Sequence, residues 1–141
     1  MVIEIALAGN QEFMGKMIPV LIGGFGKEIK CICDKTIAEI HGMEVKNVRA
    51  RITDNIKRFK EGVDYIDLKR VTAVCSNNLD DGEKCLTSTT NLLFNIGYSK
   101  QSVVQARHIY MLSREGYAKL IKIMNSDLSW SIHDRLIKEL W

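Results

Sequence analysis

The sequence predicts an α+β fold: short N-terminal and central β-strands packed on about five helices, with a helix-turn-helix-like pair among them. Three observations point there. The length of 141 residues is that of one domain, so residues 1–141 are read as a single unit. The composition is 46% apolar and 26% charged, with one Pro and ten Gly, which suits a buried core and excludes disordered and collagen-like chains. Runs of β-branched residues alternate with stretches whose apolar residues recur at three- and four-residue steps.

Val2 to Leu7 and Met17 to Ile22 are apolar or β-branched runs of strand length. Gly23-Gly24-Phe25-Gly26 then offers turn positions. Ile29, Cys31 and Cys33 alternate with Glu28 and Lys30, so a hairpin strand is expected over 28–33. The glycines fit neither a Walker frame nor a dinucleotide fingerprint, so a hairpin turn is the reading rather than a phosphate cradle. Asp34 stands where an N-cap belongs, ahead of a helix carrying Ile37, Ala38 and Ile40. Gly42 is the expected left-handed stop of that helix. A second helix is expected over 44–59, because Val45, Val48, Ile52, Ile56 and Phe59 form one stripe.

Beyond the break at Gly62, residues 63–68 read as an irregular strand that 69–74 extends, and the polar segment 75–85 as an exposed hairpin tip or loop. Thr90 to Ile96 reads as a short helix closed by Gly97, and Arg107 to Leu112 as a strand with His108, Tyr110 and Leu112 on one face. Ser113 is a natural N-cap for a helix presenting Tyr117, Leu120, Ile121 and Met124 and ending near Asn125. Ser126 or Asp127 caps the last helix, which carries Ile132, Leu136, Ile137 and Leu140.

Several function classes drop out. The longest apolar stretch, Met17 to Gly26, is well short of the roughly 20 residues that span a bilayer, so no membrane partner is expected. The N-terminal run holds Glu4 and meets no basic residue before Lys16, unlike a secretory or transit segment, which points to the cytoplasm. Cys31, Cys33, Cys75 and Cys85 lack zinc spacing and are expected as reduced thiols, with no metal and no cofactor. His41, His108 and His133 lie on separate elements without a nucleophile frame, so catalysis is not expected and His108 is read as satisfying a core hydrogen bond. Tyr117, Trp130 and Trp141 are read as core or dimer contacts.

The net charge of +3, from twenty basic and seventeen acidic residues, is too slight to name a partner as a global figure. Its location says more. Residues 44–61 hold Lys46, Arg49, Arg51, Lys57, Arg58 and Lys60 against Glu44, Asp54 and Glu61, and so carry the whole excess. At roughly 100° per residue, Lys46, Asn47, Ala50, Arg51, Asp54, Lys57 and Arg58 lie opposite the apolar stripe, with Arg49 and Asn55 flanking it. Ala38, Gly42 and Val48 also have the spacing of a helix-turn-helix: a small residue, a turn glycine and a valine that packs the second helix back. Such a face suits double-stranded DNA. Arg51 can bond guanine through its planar fork and Asn47 can pair with adenine, while Ala50 leaves room for close approach. Lys46, Lys57 and Arg58 suit phosphates, and Arg49 completes the DNA-facing set. Asp54 repels phosphate unless it pairs with Arg51 or Arg58 or accepts from cytosine.

Three segments then carry a resemblance. They are Cys33-Asp-Lys-Thr-Ile-Ala-Glu-Ile-His-Gly42 with the run from Ile18 before it, Asn55-Ile-Lys-Arg-Phe-Lys-Glu-Gly-Val-Asp-Tyr65, and His108-Ile-Tyr-Met-Leu-Ser-Arg-Glu-Gly116. In this order they resemble the phage Orf-six N-terminal domain, related to the KilA-N group, over about residues 17–141. The resemblance implies a DNA-binding domain of phage antirepressors and prophage regulators, working in a bacterial or phage-infected host cell, with the DNA-facing helix after Gly42. It supplies no catalytic residues. A homodimer and a repressor protein are the further partners expected, the repressor because an antirepressor can also act by binding it without touching DNA.

Overall fold

The computed structural model describes residues 2–26, 28–70, 72–76, 86–87 and 89–141. Their elements are β1 (Val2–Phe13), β2 (Lys16–Ile22), β3 (Lys30–Cys33), α1 (Asp34–His41), α2 (Val45–Asp54), β4 (Tyr65–Asp67), β5 (Thr72–Ser76) and β6 (Leu86–Thr87). After these come α3 (Thr89–Asn95), α4 (Lys100–Gln105), β7 (Tyr110–Leu112), α5 (Arg114–Met124) and α6 (Asp127–Glu139). The fold is α+β, as the patterning predicts.

The strands lie in the order β4-β7-β3-β2-β1-β5-β6. The glycine turn joins β2 to β3 as an antiparallel hairpin, with Leu21 opposite Cys31 and Ile22 opposite Lys30. The first residues, which the resemblance leaves without a role, form the long strand β1. It pairs antiparallel with β2 and parallel with β5. Strand β5 is therefore no extension of β4. Strand β4 stops at Asp67, whose carboxylate accepts from the Lys69 amide at 3.0 Å and turns the chain away. The expected tip over 75–85 lies mostly in residues 77–85, outside the described residues.

Side chains on a strand alternate between faces, and here both faces are covered. Ile18, Val20, Ile32, Tyr110 and Leu112 point into one core with α1, α2, α5 and α6. Leu21, Cys31, Cys33, Ile66 and Met111 point into another, closed by Leu92, Leu93, Tyr98 and Val103 from α3, α4 and their connection. Cys31 and Cys33 are free buried thiols, and burial pushes Cys31 up to about 12 and Cys33 well above its ordinary value, so both stay protonated.

Two expected elements differ and one is additional. Asp34 is not the N-cap of α1: Cys33 holds that position and Asp34 is the first helical residue, its carboxylate turned inward. The helix expected over 44–59 ends at Asp54, and Ile56–Arg58 form a separate 3-10 turn. Asn55 makes the break, its side-chain amide donating to the Arg51 carbonyl at 2.8 Å. The apolar stripe continues through it because a 3-10 turn also brings residues three apart onto one side. The additional element is α4, which buries only Val103 and so has little apolar pattern, although Ser99 caps it by accepting from the Ser102 amide. The remaining stops follow expectation. Gly42 is left-handed at φ 66°, Ser113 caps α5 by accepting from the Gly116 amide, and Ser126 caps α6 by accepting from Ser129.

At the centre of the first core His41 hydrogen-bonds the Tyr117 hydroxyl at 2.6 Å, and its Nδ1 is buried without a partner among the described residues. Burial, with His133 nearby, lowers His41 from 6.5 to about 4. Between those values the unfolded chain binds the proton and the folded chain does not, so this part of the stability is whole above 6.5 and is lost as pH falls toward 4. The loss is on the order of 3 kcal/mol. His41→Gln is expected to flatten that part of the thermal-midpoint profile; an unchanged slope through this window would contradict it.

Candidate functional site

Helix α2 buries Val48 and Ile52 and turns Lys46, Asn47, Ala50, Arg51 and Asp54 outward. Residues three and four apart are neighbours on a helix, so Lys46, Asn47, Ala50 and Arg51 form one patch over its first two turns. Lys46 pairs with Glu44 at 3.0 Å, both largely exposed, an interaction of little strength in water. The side chains of Asn47 and Arg51 have no partner among the described residues, and Asp54 forms an ion pair with neither Arg51 nor Arg58. Lys57 and Arg58 are also exposed but sit on the 3-10 turn beyond the helix. The basic face is thus two groups, one on α2 and one just past its end.

Arg49 stands apart from the set. Its Nε donates to Asp34 Oδ2 at 2.7 Å and its Nη2 to Oδ1 at 3.4 Å, and the carboxylate is fully buried. Burial alone would lower the Arg49 pKa, but the hydrogen bond and charge of Asp34 outweigh it and the guanidinium is held more firmly protonated than usual. Asp34 also accepts from the Tyr98 hydroxyl at 2.5 Å and from the Tyr110 amide at 3.0 Å. This one carboxylate therefore ties α1, α2, β7 and the α3–α4 connection together. Arg49 fixes where α2 lies, and its guanidinium is not presented to solvent as Arg51 is.

The segment 55–65 is tied down in the same way. Asp64 is buried, accepts from the Lys60 amide at 2.8 Å and pairs with Lys119 of α5, whose ammonium also donates to the Arg58 carbonyl at 2.9 Å. The Ser113 hydroxyl donates to the Val63 carbonyl at 2.6 Å and the Ser113 amide to the Asp64 carbonyl at 3.2 Å. Gly116 lies against the Asp64 carbonyl so closely that a Cβ would come within 1.9 Å of the oxygen. The three segments that carry the resemblance are thus a bracket: the first grips α2 through Asp34, and the second and third grip each other.

The other chemistry-bearing residues are engaged structurally. His108 Nδ1 lies 2.7 Å from Asp67 Oδ2, whose other oxygen accepts from the Ile109 amide at 3.2 Å, and its ring stacks on Tyr110 at 5.4 Å. Tyr117 is fully buried, and Trp141 packs 5.5 Å from it while donating to the Lys30 carbonyl at 2.9 Å. Trp130 remains 43% exposed. Among the described residues no group of His, Cys, Asp and Glu is placed to hold a metal ion, and no helix is long and apolar enough to cross a membrane.

No curated protein and no solved structure matches the chain. A family model does: residues 25–123, from the glycine turn through almost all of α5, match the ORF6N domain. That span contains the Asp34–Arg49 pair, the exposed patch on α2 and the Asp64–Gly116 bracket, and it is most of the chain. The protein belongs to the ORF6N domain family.

Proposed function

We propose that this chain is a sequence-specific double-stranded DNA-binding regulator of phage or prophage genes, of antirepressor type, acting in the cytoplasm without a cofactor or a catalytic step. It reads the major groove with α2, and α1 with α2 serves as the helix-turn-helix-like pair. The observation that carries this reading is a helix tied down through the Arg49–Asp34 pair whose outward patch includes Asn47 and Arg51, side-chain types able to read bases, neither with a side-chain partner among the described residues. Arg bonds guanine and Asn bonds adenine in the major groove, where each base pair shows a distinct donor and acceptor pattern. The phage-associated family supports the regulatory class.

Arg51→Ala is expected to weaken binding to the specific site by about 1 to 3 kcal/mol and to relax preference at one base position, while Lys57→Ala weakens all sequences alike and lowers the salt slope by about one. A mobility-shift titration checks both. If neither substitution alters binding, α2 is not the reading helix.

A second reading rests on Leu128 and Trp130 of α6, which are 63% and 43% exposed. Two residues apart, they lie on opposite flanks of buried Ser129, and through one of these flanks the chain would bind a repressor protein or a second copy of itself, relieving repression without touching DNA. Antirepression that survives the change of Lys46, Arg51 and Arg58 together to Glu would favour it.

A further inference from the structure

We infer that the groove between the 3-10 turn and α5 is a docking site for a backbone phosphate of duplex DNA, an inference that rests on α2 being the reading helix. The groove has a volume of about 410 Å³ and is lined by Asn55, Arg58, Lys119, Lys122 and Ile123, with no carboxylate among them. Its walls are fixed. Lys119 is anchored by Asp64 and by the Arg58 carbonyl, which holds the turn against α5, and the buried carboxylate of Asp64 neutralises it from the inside. Lys122 follows one turn along the same side of α5 and is exposed, and neither it nor the Arg58 guanidinium has a partner among the described residues. Two unpaired cations thus face a preformed hollow, with the polar side chain of Asn55 at its edge.

The placement matches the geometry of a duplex. From Asn47 to the end of α2 at Asp54 the helix rises seven steps, roughly 10 Å at 1.5 Å per residue, and Asn55 follows just beyond, a span comparable to the width of the major groove. With Asn47 and Arg51 at the bases, the groove lined by Arg58 and Lys122 falls at the phosphates on one lip of the DNA groove. Contacts of this kind set orientation and supply affinity that falls with salt, without reading sequence. Lys122 lies outside the basic segment 44–61, and only the packing of α5 beside α2 brings it to the same surface.

The test is fluorescence anisotropy of the full chain on a labelled duplex, titrated across KCl concentrations. Lys122→Ala is expected to lower the slope of log K against log salt by about one, equally for specific and unrelated duplexes, and Lys122→Arg to restore it. Lys138→Ala, an exposed lysine of α6, serves as the control and is expected to leave the slope unchanged. If the wild-type chain binds and Arg51→Ala weakens it while Lys122→Ala leaves the slope unchanged, the groove takes no phosphate and the α2 reading stands. If the wild-type chain binds no duplex, both fall.

Discussion

Replacing Gly116 with alanine is expected to lower stability by about 3 kcal/mol, at the upper end of overpacking costs, and the thermal midpoint by roughly 10 °C. The reason is that the added methyl would meet backbone rather than a side chain able to swing aside. Its Cβ would stand 1.9 Å from the Asp64 oxygen, 2.8 Å from its carbonyl carbon and 3.2 Å from its Cα. Relief requires α5 to lift from the 63–65 segment, and that breaks the Ser113 bonds to the Val63 and Asp64 carbonyls and strains the antiparallel pairing of Tyr65 with Leu112. Calorimetry or thermal circular dichroism checks it. A midpoint within a degree or two of wild type would mean that α5 and the 63–65 segment are not in contact as described.

The second large effect concerns the charge pair beneath α2. Asp34→Ala leaves the half-buried Arg49 guanidinium, the Tyr98 hydroxyl and the Tyr110 amide without their acceptor, and is expected to cost about 3 to 5 kcal/mol, as breaking a buried pair does. Asp34→Asn keeps an acceptor oxygen but loses the charge, so its cost is smaller. The double variant Asp34→Ala with Arg49→Met removes the orphaned charge and is expected to recover part of the loss, since a buried pair replaced by apolar groups is often neutral. Chemical denaturation of the wild-type chain, Asp34→Ala, Arg49→Met and the double variant gives the coupling directly. Additive losses would show that Arg49 and Asp34 do not act as a unit, and would remove the reason for reading Arg49 as the residue that positions α2.

Local pattern made much of this fold legible. The three-and-four stripe of Val45, Val48 and Ile52 marks the inner side of α2, and Gly42, Ser113 and Ser126 mark helix ends because each has one dominant local role. What stayed hidden depends on partners far along the chain. The strand expected over 107–112 is present as Tyr110–Leu112, but helices cover both faces of the sheet, so Met111 is as buried as its neighbours, which alternation does not announce. The parallel pairing of β1 with β5 joins segments some seventy residues apart, and nothing local announces it. Among the candidate residues, Arg49 was placed at the flank of the stripe by helical geometry alone. Its turn inward depends on Asp34, fifteen residues earlier, whose sequence position is that of a cap but whose carboxylate is buried. Lys122 carried no signal, since its place beside Arg58 comes from the docking of α5.

If α2 reads base pairs, as proposed, the chain selects sequence. Selection of bound sequences from a pool of random duplex DNA tests it most directly, run in parallel with the wild-type chain and with Arg51→Ala. An enriched motif is expected for the wild-type chain, and the same motif with one position relaxed for the variant. A folded wild-type chain that enriches no motif, or an identical motif from both proteins, would contradict it.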